Sequence, residues 1–255
     1  MTAMTAERAT VWLRPGQATY LGPQLRWDVH ATPVHCLALG VDGAFVVHAP
    51  DGTWRRRSAL IPARLPHRIE AGEGRMLFHY LDSGTDAADV RALMAEALGP
   101  ITATHRDERD LIDHAHEPDA LRRFALGAGS ERFVDPRIRT AMDSLLAEPS
   151  LERDAGELAA EFGLSKSRFL HLFSENAGTS FRRFRAWSRM LHVATAVEAG
   201  ANLTTAAADA GFASASHFSD TFRRMFGLSA TTLLAGGTEI TTTPAITRSA
   251  PARRP

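Results

Sequence analysis

The spacing of apolar positions divides the chain into a β-type part and a helical part. From residue 10 to about 82 the apolar runs are short, and segments such as 41–44 and 50–53 carry Asp-Gly pairs typical of hairpin turns. Many short strands with frequent turns predict a small barrel or sandwich. The strands are predicted at residues 10–13, 34–39, 44–48, 58–61 and 75–81.

Beyond residue 86 the apolar positions recur every three or four residues, which predicts helices. Residues 87–98 give one helical face, formed by Val90, Leu93, Met94 and Ala97. Shorter helices are predicted at 106–115 and 118–126, followed by a glycine-rich hinge at 127–130. The tail at 237–255 has no periodicity and is predicted to be disordered.

Within residues 151–235, one pattern of helix, glycine, serine and helix occurs twice. Gly163 precedes Ser165 in the first copy, and Gly211 precedes Ser214 in the second. Glycine ends a helix in the left-handed conformation, and serine caps the helix that follows. This predicts two helix-turn-helix units, each with an exposed second helix that fits the DNA major groove. Phenylalanines four residues apart mark the buried faces: Phe169 with Phe173, and Phe218 with Phe222.

A long helix is predicted between the two units. It covers about 181–198, and its apolar face consists of Phe181, Phe184, Trp187, Leu191, Ala194 and Val197. At about 1.5 Å per residue it spans roughly 27 Å. Such a spacer can hold two recognition helices near the roughly 34 Å that separates successive major grooves. A further helix opens at Asp135-Pro136, with the aspartate as its N-cap.

Residues from about 135 to 235 resemble the DNA-binding domain of the AraC/XylS family of bacterial transcription regulators. The most specific part is Gly-Phe-Ala-Ser-Ala-Ser-His-Phe-Ser-Asp-Thr-Phe-Arg-Arg-Met-Phe-Gly, from Gly211 to Gly227. Ala206 stands where the family usually has isoleucine, Ala230 where it has proline, and Asp220 where it often has arginine. The resemblance implies a cytoplasmic regulator or activator that binds promoter or operator DNA, has RNA polymerase as a further partner and forms a homodimer. Residues 86–126 would then be a dimerisation or linker region, although the same apolar faces also fit packing on the barrel.

Residues 59–69 resemble the second half of a cupin motif, with Pro62 followed five residues later by His67. Arg64 replaces the usual glycine, and the first cupin motif is absent, so no metal and no cofactor are predicted. Residues 10–82 are instead interpreted as a sensor for a small-molecule effector. The candidate effector contacts are Trp54, His67 and His79.

The 29 basic and 29 acidic residues balance, so DNA binding requires local segregation of charge. The predicted phosphate contacts are Lys166, Arg168, Arg182, Arg183, Arg185, Arg223 and Arg224. The predicted base-reading residues are Ser167, Leu170, His171, Ser216, His217 and Ser219. Because an acid at Asp220 lowers affinity near phosphates, we expect the first unit to carry most of the specificity.

The predicted fold class is α+β: an N-terminal small cupin-like β-barrel at 10–82, followed by an all-α domain at 131–235 with two helix-turn-helix units. The leading hypothesis is an effector-responsive DNA-binding regulator. One alternative is a cupin-type metal-dependent enzyme with an accessory helical domain, and another is a regulator whose N-terminal domain only dimerises. The lone Cys36 excludes an internal disulfide and fits a reducing cytosol. With no apolar run of membrane length, no membrane contact is predicted.

Overall fold

The computed structural model describes residues 8–14, 16–25, 27–81, 86–127, 134–150 and 153–242. The N-terminal part is rich in strands. They are β1 (Thr10–Arg14), β2 (Gln17–Pro23), β3 (Cys36–Gly40), β4 (Phe45–Ala49), β5 (Gly52–Arg56), β6 (Ser58–Ile61), β7 (Arg68–Ala71) and β8 (Arg75–Tyr80). They are followed by α1 (Asp86–Ala92), β9 (Met94–Leu98), β10 (Ile101–His105), α2 (Glu108–Asp113) and α3 (Pro118–Leu126).

The C-terminal part is helical and ends in one strand. Its elements are α4 (Pro136–Ala147), α5 (Ala155–Glu161), α6 (Lys166–Ala177), α7 (Phe181–Glu198), α8 (Leu203–Asp209), α9 (Ala215–Phe226), α10 (Ala230–Ala235) and β11 (Glu239–Thr242). Among the described residues, the strands form one sheet in the order β11-β1-β2-β8-β3-β6-β10-β9 and a second in the order β5-β4-β7. The predicted α+β class is confirmed, and the β-rich part consists of two sheets rather than a closed barrel.

Side chains alternate between the two faces of the larger sheet, and both faces are buried at its central strands β3 and β8. On one face, Leu39 and Leu77 pack against helices α1–α3. On the other face, Ala38 and Phe78 share a core with Phe45 and other residues of the smaller sheet. This double burial explains why several strands read as continuous apolar runs.

Each helix-turn-helix unit has its own core, and α7 contributes to both. Phe169 and Phe173 are fully buried in the first unit, next to Phe184 of α7. Phe212 and Phe218 are buried in the second unit, next to residues from the later turns of α7. The buried faces predicted from the spacing of phenylalanines are confirmed at Phe169, Phe173 and Phe218, whereas Phe222 is half-buried.

Two sequence-based assignments are wrong. The helix predicted at 87–98 ends at Ala92, and β9 then pairs with β10 across a turn at Gly99. A short apolar run fits both the helical repeat of about 3.6 residues and the strand repeat of two. Hydrogen bonds to the neighbouring strand β10 decide in favour of the strand here. The tail predicted to be disordered begins instead with β11, which lies parallel to β1 with Thr10 opposite Glu239. Residues 243–255 and most of the predicted hinge, 128–130, lie outside the described residues. Strands β2, β5, β7 and β10 and helix α10 were not predicted.

The β-rich part and the second helix-turn-helix unit meet at a set of contacts that we call the domain seam. The amide of Asp28 donates to the carbonyl of Gly227 at 2.8 Å, and the amide of Ala31 donates to that of Arg224 at 3.2 Å. The indole nitrogen of Trp187 donates to the Gly16 carbonyl at 3.1 Å. Together with the pairing of β11 and β1, these bonds fix the end of α9 and the middle of α7 against the sheet.

Buried histidines make the stability of the protein depend on pH. Burial lowers the pKa of His35 and His67 to about 4 and that of His79 to about 3. The unfolded chain therefore binds more protons below about pH 6.5, and the free energy of unfolding should fall as pH drops from 6.5 towards 4. Each histidine contributes about 1.4 kcal/mol per pH unit in that window.

Urea unfolding at pH 7.0, 6.0 and 5.0 measures this slope, and His67→Gln should reduce it. The exposed Ser167, which does not titrate, provides the control, because Ser167→Ala should leave the slope unchanged. Equal stability of the wild-type chain at all three pH values would contradict the prediction.

Candidate nucleic-acid interface and adjoining cavity

The two recognition helices, α6 and α9, begin and end in the same way. The Ser165 hydroxyl accepts from the Arg168 amide at 3.3 Å, and the Ser214 hydroxyl accepts from the His217 amide at 3.0 Å. Both helices then end at a left-handed glycine, Gly178 or Gly227. These caps satisfy amides that the helix ends leave unpaired. The local chemistry predicted from the duplicated sequence is therefore present in both units.

Five of the six predicted base-reading side chains are exposed: Ser167, His171, Ser216, His217 and Ser219. Leu170 is half-buried and packs against the core of the first unit, so it is less available than its sequence position indicated. It follows Phe169 by one residue, and its side chain therefore lies at the margin of the buried face. The Nε2 atom of His171 lies 3.2 Å from the Glu175 carboxylate one turn later.

The predicted phosphate contacts differ in their surroundings. Lys166, Arg168, Arg182, Arg183, Arg223 and Arg224 are exposed, and Arg185 is half-buried. Lys166 lies 3.8 Å from the carboxylate of Asp154, the N-cap of α5. Arg185 donates to the Arg153 carbonyl at 3.3 Å. Arg224 donates to the Thr221 hydroxyl at 3.0 Å, within its own helix.

Most of these basic residues lie either at the N-terminus or at the C-terminus of a helix, and the helix dipole affects the two groups in opposite ways. Lys166 and Arg168 lie in the first turn of α6, and Arg182 and Arg183 lie in the first turn of α7, where no acidic residue accompanies them. A cation at a helix N-terminus is disfavoured by about 0.3–1 kcal/mol. Arg223 and Arg224, the basic residues in the last turn of α9, stabilise their own helix. Lys166 is close to Asp154, whereas no ion pair among the described residues offsets this cost for Arg168, Arg182 and Arg183. An external anion would offset it.

The start of α7 has further groups suited to an anion. Ser180 occupies the N-cap position, but its side chain makes no capping hydrogen bond. Unpaired amides at a helix N-terminus bind phosphate readily. The first amides of α7, Ser180, Arg182 and Arg183 are therefore a candidate phosphate-binding surface, which we call the α7 anion surface.

A cavity of about 100 Å³ lies at the domain seam. Its walls come from β1, β2 and β8, the loop after β2, helices α7 and α9, and the segment after α9. The lining residues are Val11, Leu13, Ala18, Tyr20, Leu25, Trp27, Phe78, Tyr80, Trp187, Met190, Leu191, Ala194, Phe222, Phe226, Leu228 and Leu233. One side of the cavity thus belongs to the β-rich part and the other to the DNA-binding units.

The candidate effector contacts taken from sequence lie elsewhere. Trp54 is half-buried and packs on the core between the sheets. His67 stacks on His30, with ring centroids 4.4 Å apart. His79 lies 2.7 Å from the Thr19 hydroxyl through its Nδ1 atom. None of these three residues lines the cavity at the seam. The residues that do line it extend from Val11 to Leu233 along the chain, so no local sequence motif could reveal the cavity.

The described residues contain no group of three or more histidine, cysteine or acidic side chains placed to hold a metal ion. Within the same part of the chain, no helix is both long and apolar enough to cross a bilayer.

Comparisons with known proteins agree with this geometry. Residues 158–236 match a family model described as a helix-turn-helix domain. The solved structure of ToxT from Vibrio cholerae O395 is 13% identical, with a TM-score of 0.59, and the alignment covers 87% of this chain and 98% of ToxT. ToxT from strain SCE256 with a bound unsaturated fatty acid is 12% identical, with a TM-score of 0.56, 89% of this chain and 96% of ToxT being covered.

At these identities the likeness to ToxT shows a shared fold along most of both chains. No match is found among curated proteins. The family match, the two capped recognition helices and the connecting α7 together confirm the resemblance seen in the sequence. Residues 158–236 form a helix-turn-helix domain of the AraC type.

Proposed function

We propose that this chain is an effector-responsive transcription regulator whose ligand binds in the cavity at the domain seam. The first helix-turn-helix unit would insert α6 into the major groove, while the α7 anion surface holds the adjacent phosphates. The observation that carries this proposal is the shared wall of the cavity. Tyr80 on β8 faces Trp187 on α7 and Phe226 on α9, with ring centroids 5.7 and 5.6 Å away.

A ligand in this cavity contacts both the sensor and the second recognition helix. Phe222 and Phe226 lie on the inner side of α9, while Ser216 and Ser219 of the same helix are exposed on its outer side. A ligand shifts a conformational equilibrium only if it binds the two states with different affinity. Because the cavity takes its walls from both the sheet and α9, a bound ligand would favour the arrangement of α9 against the sheet that forms these walls.

The solved relatives support a ligand at some position in this fold. ToxT has been solved with an unsaturated fatty acid and with (E)-4-(8-methylnaphthalen-1-yl)but-3-enoic acid. For this chain, the cavity walls described above support a ligand site at the domain seam.

Removing the α7 anion surface should weaken DNA binding on every sequence. The full chain with Arg182→Ala and Arg183→Ala combined is titrated with salt on the duplex next to its own gene and on a random duplex. Each lost phosphate contact lowers the slope of log affinity against log salt by about 0.9, so we expect a reduction of about 2.

Arg109→Ala is the matched control, because this exposed arginine lies on α2 in the β-rich part. It should leave affinity and slope unchanged. If the double variant kept the wild-type slope, phosphate binding at the start of α7 would be ruled out.

Specificity is proposed to come mainly from the first unit, through Ser167 and His171, with a smaller share from Leu170. In the second unit, Ser216, His217 and Ser219 are small or weakly polar, and Asp220 is exposed beside them. His171→Ala should therefore reduce discrimination between specific and random duplexes more than His217→Ala does. Operator changes that cost more affinity in the second half-site would contradict this assignment.

A homodimer, contact with RNA polymerase and a cytoplasmic location stay proposals. The apolar residues Leu111, Leu121 and Ala125 of helices α2 and α3 are buried against the chain's own sheet. This supports packing on the sheet as their role, so a dimer would use other surfaces of the region 86–126. The family match supports a regulator rather than the enzyme considered from the sequence.

A further inference from the structure

We infer that the cavity at the domain seam selects a small, uncharged, apolar ligand and rejects carboxylates. The inference rests on the proposed function, because it concerns the same cavity. It differs from what the ToxT structures contain, since both of the ligands named above are acids.

The walls of the cavity carry the first part of the argument. Every described lining residue is aliphatic, aromatic or methionine, and no charged side chain is among them. A carboxylate moved from water into such a site without a cation loses its hydration and gains no ion pair. An uncharged apolar molecule has no ionic hydration to lose, and its transfer from water into the cavity is favourable.

The side chains on the cavity walls carry few polar atoms, and two of these already donate hydrogen bonds within the protein. The Tyr20 hydroxyl donates to the Pro23 carbonyl at 2.7 Å, and the Trp187 indole donates to the Gly16 carbonyl at 3.1 Å. The half-buried Tyr80 provides the remaining hydroxyl, and burial raises its pKa far above the usual value, so it stays neutral. Among the described residues, the site can therefore accommodate one neutral polar atom near Tyr80 and offers no counter-charge for an anion.

Size and shape limit the ligand further. A cavity of about 150 Å³ lined by apolar side chains holds benzene, and this cavity measures about 100 Å³. Because this cavity is smaller than the one that holds benzene, a ligand can be no larger than about a single ring or a short branched chain. Aromatic walls favour a ring, because Trp27 and Phe78 already meet edge to face at 4.9 Å and a ligand ring can continue that arrangement.

Three ligands with the same ring test the inference: toluene, benzyl alcohol and benzoate at pH 7.5. Binding to the full chain is measured by calorimetry and by the shift in unfolding temperature. We expect toluene and benzyl alcohol to bind at least 100-fold more tightly than benzoate. Benzoate binding as tightly as toluene, or no binding of either neutral compound, would overturn the inference.

Variants show where binding occurs. Ala194→Phe places a ring in the cavity and should abolish binding of toluene, while Ala160→Phe, on the exposed side of α5, should not. Arg26 lies outside the described residues, between the lining residues Leu25 and Trp27. If benzoate bound tightly and Arg26→Gln removed that binding, the cavity would be a carboxylate site and the inference would be wrong.

A DNA-binding measurement with and without toluene separates this inference from the proposed function. Binding of toluene in the cavity with a change in DNA affinity supports both. Binding with no change in DNA affinity supports the neutral-ligand inference and overturns the effector role. Selective benzoate binding that changes DNA affinity supports the effector role and overturns the inference.

Discussion

Gly227→Ala is expected to release the second helix-turn-helix unit from the β-rich part of the protein. Gly227 ends α9 with a φ of +70°, a conformation that costs an L-residue about 1–2 kcal/mol. An alanine Cβ there would lie 2.5 Å from the Asp28 carbonyl oxygen and 2.7 Å from the His30 imidazole. Because Asp28 and Gly227 also share a backbone hydrogen bond, neither can move away without opening the seam.

The expected loss is the backbone cost plus about 1–3 kcal/mol for the clash. Gly163→Ala provides a matched control, because Gly163 has a φ of +65° and an added Cβ would meet no atom within 4 Å. It should show the backbone cost alone. Urea unfolding gives both values, and amide hydrogen exchange at Asp28 and Ala31 should rise only in the Gly227 variant. Equal losses in the two variants would contradict a seam held at Gly227.

Gly227→Ala also tests the route by which a ligand acts on DNA. If α9 responds to the cavity through the seam, this variant should bind DNA with an affinity that no longer depends on the cavity ligand. Gly163→Ala should keep the ligand dependence, because its turn lies in the first unit. A ligand response that persisted in the Gly227 variant would place the coupling elsewhere.

Trp187→Ala is expected to lower the free energy of unfolding by about 3–5 kcal/mol. Trp187 is 1% exposed, packs against Tyr80 and Phe226, and donates its indole hydrogen to Gly16. The substitution therefore removes a large apolar contact and leaves the Gly16 carbonyl without its donor. Both the β-rich part and the helical part contact this side chain. Without it, the two parts should no longer unfold in a single cooperative transition.

Trp187→Phe separates the contributions of the ring and the hydrogen bond. It keeps most of the apolar contact and should cost about 1–3 kcal/mol, mainly from the unpaired carbonyl. Trp54 of β5 is only half-buried, so Trp54→Ala should lower the free energy of unfolding by less than Trp187→Ala does. Denaturant unfolding followed by far-UV circular dichroism measures all three. A larger loss at Trp54 would show that the seam contributes less than its burial indicates.

Features that depend on neighbouring residues in sequence were predictable from the sequence. Ser165 and Ser214 cap their helices as expected, because a cap needs only a hydroxyl and an amide two or three residues away. The predicted bounds of the long helix, 181–198, agree with α7 for the same reason, since its apolar face repeats along one continuous segment. The exposure of Ser167 and His171 followed from the positions of Phe169 and Phe173.

Features that depend on distant partners were decided only by the tertiary structure. Residues 94–98 became a strand because β10 lies beside them, and 239–242 became a strand because β1 lies at the free edge of the sheet. The cavity brings Val11 and Phe226 together across more than 200 positions, so no local motif predicts it. A periodic pattern shows which side of a segment is buried, but the partner that covers that side is chosen by packing energies summed over the whole chain.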